Sequence, residues 1–261
     1  MHKKLNAVLI VGSAPDAMVI NSWDLSAFSE RVVINNAWQI SEGWSHLIYP
    51  EDFPSSRLPC ASIQKGKQLI TARDFVPQQN RFGGFVYAGG TMAFTAGYWA
   101  LGALKPDLIA YVGCDMVYST DETKASHFYG QGTADPLRED VTLQSLEAKS
   151  IRFMALAHEN NCTVVNLSQQ ADSRLQFPRM DISDCYPQIS IDDLLLKQDG
   201  LIGRDEVCKA LTAEKNLGYM VASGRYWECE SDFDKSKLSD IDDMWIKVIR
   251  DPKELNSELR Q

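Results

Sequence analysis

The first candidate for chemistry is a short turn that follows an apolar run near the start of the chain. Residues 5–11 read LNAVLIV, and the turn consists of Gly12, Ser13, Ala14 and Pro15. A turn after a buried strand exposes backbone N–H groups, which can bind a phosphate or another anion together with the positive end of a following helix. The same residues also fit a plain strand-to-loop turn, so the turn alone leaves both interpretations open.

Similar polar residues follow the later apolar runs. Asparagine side chains can bind ribose or base edges, paired glycines let a ligand approach the backbone, and a threonine at a helix start can contact a phosphate. Each residue alone also fits an ordinary cap or turn. Their joint occurrence at successive strand ends favours a nucleotide or phosphate ligand. These residues are Asn35, Asn36, Asp52, Gly89, Gly90, Thr91 and Asp115.

A histidine-containing loop is the second candidate for chemistry. Residues 126–132 read SHFYGQG. His127, placed among glycine and aromatic residues, could act on a substrate as an acid or a base, although a merely exposed loop histidine fits equally well. The hydroxyls of Tyr118 and Tyr129 could hold a leaving phosphate.

These residues need a scaffold that brings strand ends together. The alternation of buried strands with helices predicts an α/β fold with a doubly wound, mostly parallel, Rossmann-like sheet. In such a sheet, ligands bind beyond the carboxyl ends of the strands, where the winding direction switches. Residues 53–86 are polar and contain prolines, which predicts a long loop or lid with one short strand at 68–70. The other predicted strands are 5–11, 31–34, 46–49, 107–113 and 162–167, with a buried helix from 91 to 102 and a half-buried helix at 142–159.

The pattern weakens after about residue 168. We expect residues 1–179 to form a nucleotide-binding α/β domain and residues 180–261 to form a small helical C-terminal appendage packed on it. Residues 204–217 read as an amphipathic helix that stops at Gly218, and an acidic helix is expected at 238–249. Residues 189–196 fit either a strand edge or a short helix.

Composition excludes several classes of protein. A net charge of −9 over 261 residues provides no basic surface for nucleic acid. The six cysteines form no CxxC pair, which disfavours a zinc site and indicates reduced thiols. No secretory signal pattern is visible, and no apolar stretch reaches the roughly 20 residues of a transmembrane helix. We therefore expect a cytoplasmic protein. The GxGxxG and GxxxxGKS/T nucleotide motifs are missing.

The order of these motifs resembles that of the bacterial sialyltransferases that use CMP-sialic acid. The resemblance covers roughly residues 5–175 and includes VGSAP, Asn36, IYP, GGT with its buried helix, GCD, HFYG and NLS. A related group, the 6-hydroxymethylpterin diphosphokinase-like proteins or motility accessory factors, is similar at Gly89-Gly90-Thr91 and at the segment from Gly113 to Tyr118.

The resemblance implies residue roles. It places Gly12, Ser13 and Ala14 at the nucleotide phosphates and Asn36 at the nucleotide sugar or phosphate. It places Gly89-Gly90-Thr91 at the base and ribose, and it makes His127, Tyr129 and Gln131 the catalytic loop. The residue at Gln131 is a histidine general base in the sialyltransferases, and glutamine cannot accept a proton at neutral pH. The asparagine after the third strand is replaced by Pro50, with Asp52 two positions later.

Three functions follow from this resemblance. The leading one is a transferase that binds a nucleotide-activated donor such as a CMP-sugar and transfers a glycosyl group to a small-molecule or glycan acceptor, with no required cofactor and with His127 moving a proton. The alternative is diphosphate transfer from ATP to a small alcohol such as a pterin, with Mg²⁺ held by Asp52 and Asp115. A third possibility is a non-catalytic nucleotide-binding protein, which Gln131 suggests. The resemblance also suggests self-association.

Overall fold

Runs of Val, Ile and Leu form the centre of this fold because they can be buried on both faces of a sheet. The structure is a computed structural model and describes residues 5–117, 125–130, 140–185 and 190–249. All residues of the strands Ala7–Val11 and Leu108–Val112 are buried. The six strands are β1 Ala7–Val11, β2 Glu30–Ile34, β3 His46–Ile48, β4 Gln68–Ile70, β5 Leu108–Val112 and β6 Thr163–Asn166.

The six strands form one parallel sheet in the order β4-β3-β2-β1-β5-β6. The chain first winds from β1 outward to β4, then crosses back to β5 beside β1 and continues to β6. Because the winding direction reverses there, the switch point lies between β1 and β5. The predicted doubly wound, Rossmann-like α/β fold is confirmed.

The described residues form eight α-helices: α1 Ala61–Gln64, α2 Ala72–Asn80, α3 Phe85–Ala88, α4 Met92–Ala103, α5 Leu146–Glu159, α6 Ile191–Leu201, α7 Arg204–Leu217 and α8 Lys235–Ile246. Helices α2, α4 and α5 cover one face of the sheet, while the short 3-10 helices Pro15–Ser22 and Asn35–Gln39 lie on the other.

Residues 53–86 are more helical than the sequence predicts. The strand at 68–70 is confirmed, but the expected loop also contains α1, α2 and the start of α3. Thr71 and Asp74 form a capping box at the start of α2. Pro77 lies inside this helix on an exposed side, and the carbonyl that it leaves unbonded belongs to the exposed Arg73, where water can satisfy it.

The C-terminal helices share the main core. Gly218 has a φ of 70° and ends α7 as predicted, residues 191–201 are helical rather than a strand edge, and α8 begins and ends three residues before the predicted bounds. Trp245 on α8 is fully buried within the same apolar cluster as β1 and α5. Helix α8 packs against α5 and α7, so these two C-terminal helices form an outer layer over the helices that cover one sheet face. No helix in the described ranges is long and apolar enough to cross a membrane.

Candidate functional site

Polar side chains from four neighbouring strands gather at the carboxyl edge of the sheet. In the ladders, Val11 pairs with Val33 of β2 and with Val112 of β5, so the turns after these strands leave the sheet side by side. The switch point between β1 and β5 lies in the middle of this edge. The polar residues at or just beyond these strand ends are Ser13, Asp16, Asn35, Asn36, Asp115, Asn166 and Ser168.

A chain of hydrogen bonds joins the ends of β1, β5 and β6. Ser168 donates from Oγ to Asp16 Oδ2 at 2.8 Å, and its backbone N–H donates to Asn166 Oδ1 at 3.0 Å. Asn166 Nδ2 then donates to Asp115 Oδ1 at 3.0 Å. Two carboxylates from different strands are thereby fixed at one edge of the sheet.

Several buried polar atoms at this edge have no hydrogen-bond partner among the described residues. Buried polar atoms in folded proteins nearly always have a partner, so such atoms mark a place where a ligand or water completes the site. All five belong to the strand ends or to the histidine loop. They are Asp16 Oδ1, Asn35 Oδ1, Asn36 Oδ1, Asp115 Oδ2 and His127 Nε2.

The two aspartates shape the electrostatics of the edge. Burial raises the pKa of Asp16, and the nearby charge of Asp115 raises it further, whereas the bond from Ser168 and the charge of Arg179 lower it. Asp115 is only 4% exposed. Carboxylate oxygens accept hydrogen bonds, so the ligand groups that fit here are hydroxyls, amines or cations.

His127 lies over the end of β1. Its Nδ1 is 2.9 Å from Ser13 Oγ, and the N–H of Phe128 donates to the Ser13 carbonyl at 3.0 Å. The imidazole stacks on the half-exposed ring of Tyr129 at a centroid distance of 4.8 Å. Burial lowers the pKa of His127, and a hydrogen bond with the Ser13 backbone opposes this effect. A neutral imidazole near pH 7 can act as a general base.

The Gly12–Pro15 turn packs tightly against the end of β5. The N–H of Gly12 donates to the Val112 carbonyl at 2.9 Å, and the N–H of Ala14 donates to the Gly113 carbonyl at 3.2 Å. A Cβ on Gly12 would lie 2.1 Å from the Gly113 oxygen. Two of the amides that the sequence assigns to phosphate therefore bond the protein itself, and Pro15 has none.

The Gly89-Gly90-Thr91 turn is covered by other side chains. The Gly90 N–H donates to Thr142 Oγ1 at 3.0 Å, and a Cβ on Gly90 would lie 2.1 Å from the Tyr226 hydroxyl. Thr91 caps α4 by accepting from the Phe94 N–H. The hydroxyl of Tyr226 also donates to Asp140 Oδ2 at 2.5 Å. Close packing therefore accounts for the glycine at Gly90, and helix capping accounts for the threonine at Thr91.

The remaining site residues lie elsewhere. Asp52 is exposed in a turn, and Tyr118 and Gln131 lie outside the described residues. Within the described part of the chain, no three His, Cys, Asp or Glu side chains come together in a way that could hold a metal ion.

Sequence reasoning missed four residues of this edge: Asp16, Asn166, Ser168 and Arg179. Asp16 directly follows the first turn, and Asn166 and Ser168 follow a buried strand, so the rule applied to the other strand ends would have included these three. Arg179 carries no comparable pattern. Comparison with protein-family models, with curated proteins and with solved structures finds no match for this chain.

Proposed function

We propose that this protein is a transferase that binds a nucleotide-activated donor, such as a CMP-sugar, at the carboxyl edge of the sheet beside the ends of β1 and β5. The observation that carries the proposal is the group of buried acceptor atoms at this edge, together with the buried Nε2 of His127, which have no hydrogen-bond partner among the described residues. An acceptor-rich edge suits the ribose hydroxyls and exocyclic amine of a nucleotide.

The polar residues of the sheet edge bind different parts of the donor, and His127 acts on the acceptor. Asp16 and Asp115 accept hydrogen bonds from nucleotide hydroxyl or amino groups, Asn36 binds the sugar, and the guanidinium of Arg179 offsets phosphate charge. His127 Nε2 takes the proton of the acceptor hydroxyl. The acceptor oxygen then bonds the anomeric carbon of the donor, the bond from that carbon to the phosphate oxygen breaks, and the nucleotide leaves with the electron pair.

Nucleotide binding is the first test. Calorimetric titration with CMP, CDP, UDP and ATP should detect a cytidine nucleotide at micromolar to millimolar concentration. Asp115→Asn should weaken the affinity about tenfold or more, the cost of one charge-assisted hydrogen bond. The matched control Asp52→Asn changes an exposed aspartate and should leave the affinity unchanged. A lack of binding by every nucleotide at millimolar concentration would exclude the proposal.

Turnover is the second test. Release of CMP from a CMP-sugar should fall roughly 10²–10⁴-fold in His127→Ala, the usual contribution of a general base. The control His158→Ala alters a histidine on α5 whose Nε2 lies against the Leu195 carbonyl. Nucleotide binding by wild-type protein that releases no CMP would instead favour the non-catalytic alternative.

The diphosphokinase alternative predicts a different metal dependence. The adjacent carboxylates of Asp16 and Asp115 are oxygen ligands of the kind that Mg²⁺ prefers beside substrate phosphates. Under this alternative, ATP binding requires Mg²⁺ and is lost in Asp115→Ala. Binding of a cytidine nucleotide that is unchanged by EDTA favours glycosyl transfer.

A further inference from the structure

We propose that Ser13 is a positioning residue for His127, which it anchors over the end of β1 with the proton on Nδ1, so that Nε2 is the proton-accepting atom. This inference rests on the proposed function for its catalytic meaning. It gives Ser13 a role that differs from the phosphate contact expected from the sequence.

Ser13 holds the histidine loop at two points. Its side-chain oxygen is 2.9 Å from His127 Nδ1, and its carbonyl accepts from the Phe128 N–H at 3.0 Å. The loop also closes on itself, because His127 and Gly130 exchange backbone hydrogen bonds at 3.0 and 3.3 Å. The ring of Phe128 packs against the apolar cluster beneath the sheet edge. The imidazole therefore stands at the base of a short anchored turn.

The anchor itself is rigid. The residues on either side of Ser13 donate their N–H groups to the β5 end, Gly12 to Val112 and Ala14 to Gly113. These bonds attach the backbone on both sides of Ser13 to the end of β5, beside the end of β1 from which the turn continues. Because a small displacement of a catalytic group can cost about a hundredfold in rate, a general base benefits from such a fixed support.

The contacts of the ring indicate which nitrogen carries the proton. Nδ1 lies 2.9 Å from Ser13 Oγ, which can accept a hydrogen bond from a ring N–H, whereas Nε2 has no partner in the described residues. A proton on Nδ1 is therefore hydrogen-bonded, while a proton on Nε2 would be a buried donor without an acceptor, which is costly. A neutral imidazole carries one proton, and Nε2 therefore keeps its lone pair.

A serine beside a histidine could also be a nucleophile that the histidine activates. In that arrangement the hydroxyl donates to the imidazole, Nδ1 is the unprotonated nitrogen, and Nε2 carries the proton. The two assignments predict opposite tautomers of His127. The tautomer is therefore the decisive observable.

The experiment is nitrogen NMR of protein labelled with ¹⁵N-histidine, without ligand, over a range of pH. The His127→Gln variant identifies the His127 signals among the four histidines. Wild-type protein should show His127 protonated at Nδ1 near pH 8. Ser13→Ala should mix the two tautomers and lower the pKa of His127, because an acceptor that stabilises the imidazolium is removed. Ser13→Thr keeps the hydroxyl and should restore both properties.

Kinetics with a CMP-sugar add a readout that a merely structural role would not move. In Ser13→Ala, kcat should fall about tenfold with KM changed less than about twofold, and the acidic limb of the pH profile should shift to lower pH. The control Ser22→Ala removes an exposed hydroxyl that donates to the Val19 carbonyl, and it should change neither the tautomer nor kcat.

The outcomes separate the two proposals. An Nδ1-protonated His127 that depends on the Ser13 hydroxyl, in a protein that turns over no donor, supports the positioning role and rejects the transferase. An unchanged tautomer and pH profile in Ser13→Ala, in a protein that does turn over a donor, overturns the positioning role and leaves the transferase standing. Protonation at Nε2, or covalent labelling of Ser13 by a fluorophosphonate, also overturns the positioning role.

Discussion

Two buried polar clusters in this protein use similar side chains but differ in how completely they are hydrogen-bonded. In the helical layer, Arg152 donates to both carboxylate oxygens of Glu214, to the Tyr98 hydroxyl and to the Phe82 carbonyl, at 2.6–2.8 Å. Trp245 adds a hydrogen bond to Glu214. At the sheet edge, Asp16 and Asp115 each keep one oxygen without a partner in the described residues.

This difference fits a structural role for the first cluster and the binding role that we propose for the second. Burial lowers the pKa of Arg152, but the Glu214 carboxylate beside it raises this pKa above its usual value. The buried guanidinium therefore stays charged, and Glu214 is its partner. At the sheet edge the carboxyl groups of Asp16 and Asp115 lie close together, and both burial and the charge of Asp115 raise the pKa of Asp16. The first cluster joins α5 to α7 and α8, whereas the second keeps two carboxylate oxygens without a partner in the described residues, where the proposed ligand would bind.

The largest expected effect comes from breaking the satisfied cluster. Arg152→Met leaves Glu214 buried without its cation, which should lower the free energy of unfolding by about 3–5 kcal/mol. Urea denaturation followed by circular dichroism measures this change. The control Arg204→Met removes the exposed partner of Asp199 and should leave the unfolding midpoint in place. A loss below about 1 kcal/mol at Arg152 would contradict the assigned structural role.

A smaller loss of folding stability is expected at the contact between the ends of β1 and β5. In Gly12→Ala, the new methyl group meets the Gly113 carbonyl at 2.1 Å, and overpacking of this kind costs about 1–3 kcal/mol. The same denaturation experiment measures it. Gly200→Ala is the matched control, because a Cβ on Gly200 meets nothing within 4 Å and alanine favours helix α6. Equal stability of both variants would reject the packing role of Gly12.

The unsatisfied cluster should respond in the opposite direction. Asp115→Asn removes the repulsion with Asp16 and keeps an oxygen for Asn166, so the free energy of unfolding should rise by roughly 0.5–2 kcal/mol, as is common when a binding site is disabled. Nucleotide affinity should fall in the same protein. Asp172→Asn, at an exposed position, should change neither property. A destabilised Asp115→Asn protein would show that Asp115 serves the fold instead.

The smallest expected effect is on the pH dependence of stability. Burial lowers the pKa of both His46 and His127 below the ordinary 6.5. The unfolded chain therefore binds more protons, and stability declines as the pH falls below about 6.5. One histidine contributes a slope of at most about 1.4 kcal/mol per pH unit. In denaturation experiments at pH 5–8, the free energy of unfolding should fall less steeply toward low pH in His127→Gln than in wild type. An unchanged slope would show that His127 is exposed to solvent.

The strands and α7 could be predicted because their residues alone dictate them. Five consecutive buried residues in β1 form a central strand, and Gly218 in the left-handed region ends α7 after residues 204–217. Helix α2 could not be predicted in this way, because Pro77 and the polar residues after it dominate the local pattern. The local capping box of Thr71 and Asp74 could have been read from the sequence and was missed, whereas packing against α4 is supplied only by the folded chain.

The site could be predicted in part. Strand-end reasoning selects Asn36, Asp115 and the His127 loop, which the structure places at the same sheet edge. It could not tell that Gly12 and Gly90 have packing partners, because the contacting atoms belong to Gly113 and Tyr226, far away in the chain. A glycine-rich turn looks the same in sequence whether a phosphate or a protein atom approaches it.

The bond between Ser168 and Asp16 joins residues that are 152 positions apart. During synthesis on the ribosome, the first strand emerges long before the sixth, so a nascent chain holds Asp16 without the residues that fix it. The proposed donor would therefore find a complete site only on a nearly finished chain, and it could not assist the early stages of folding. In pulse-refolding experiments, the capacity to bind nucleotide should appear last, after most of the sheet has formed.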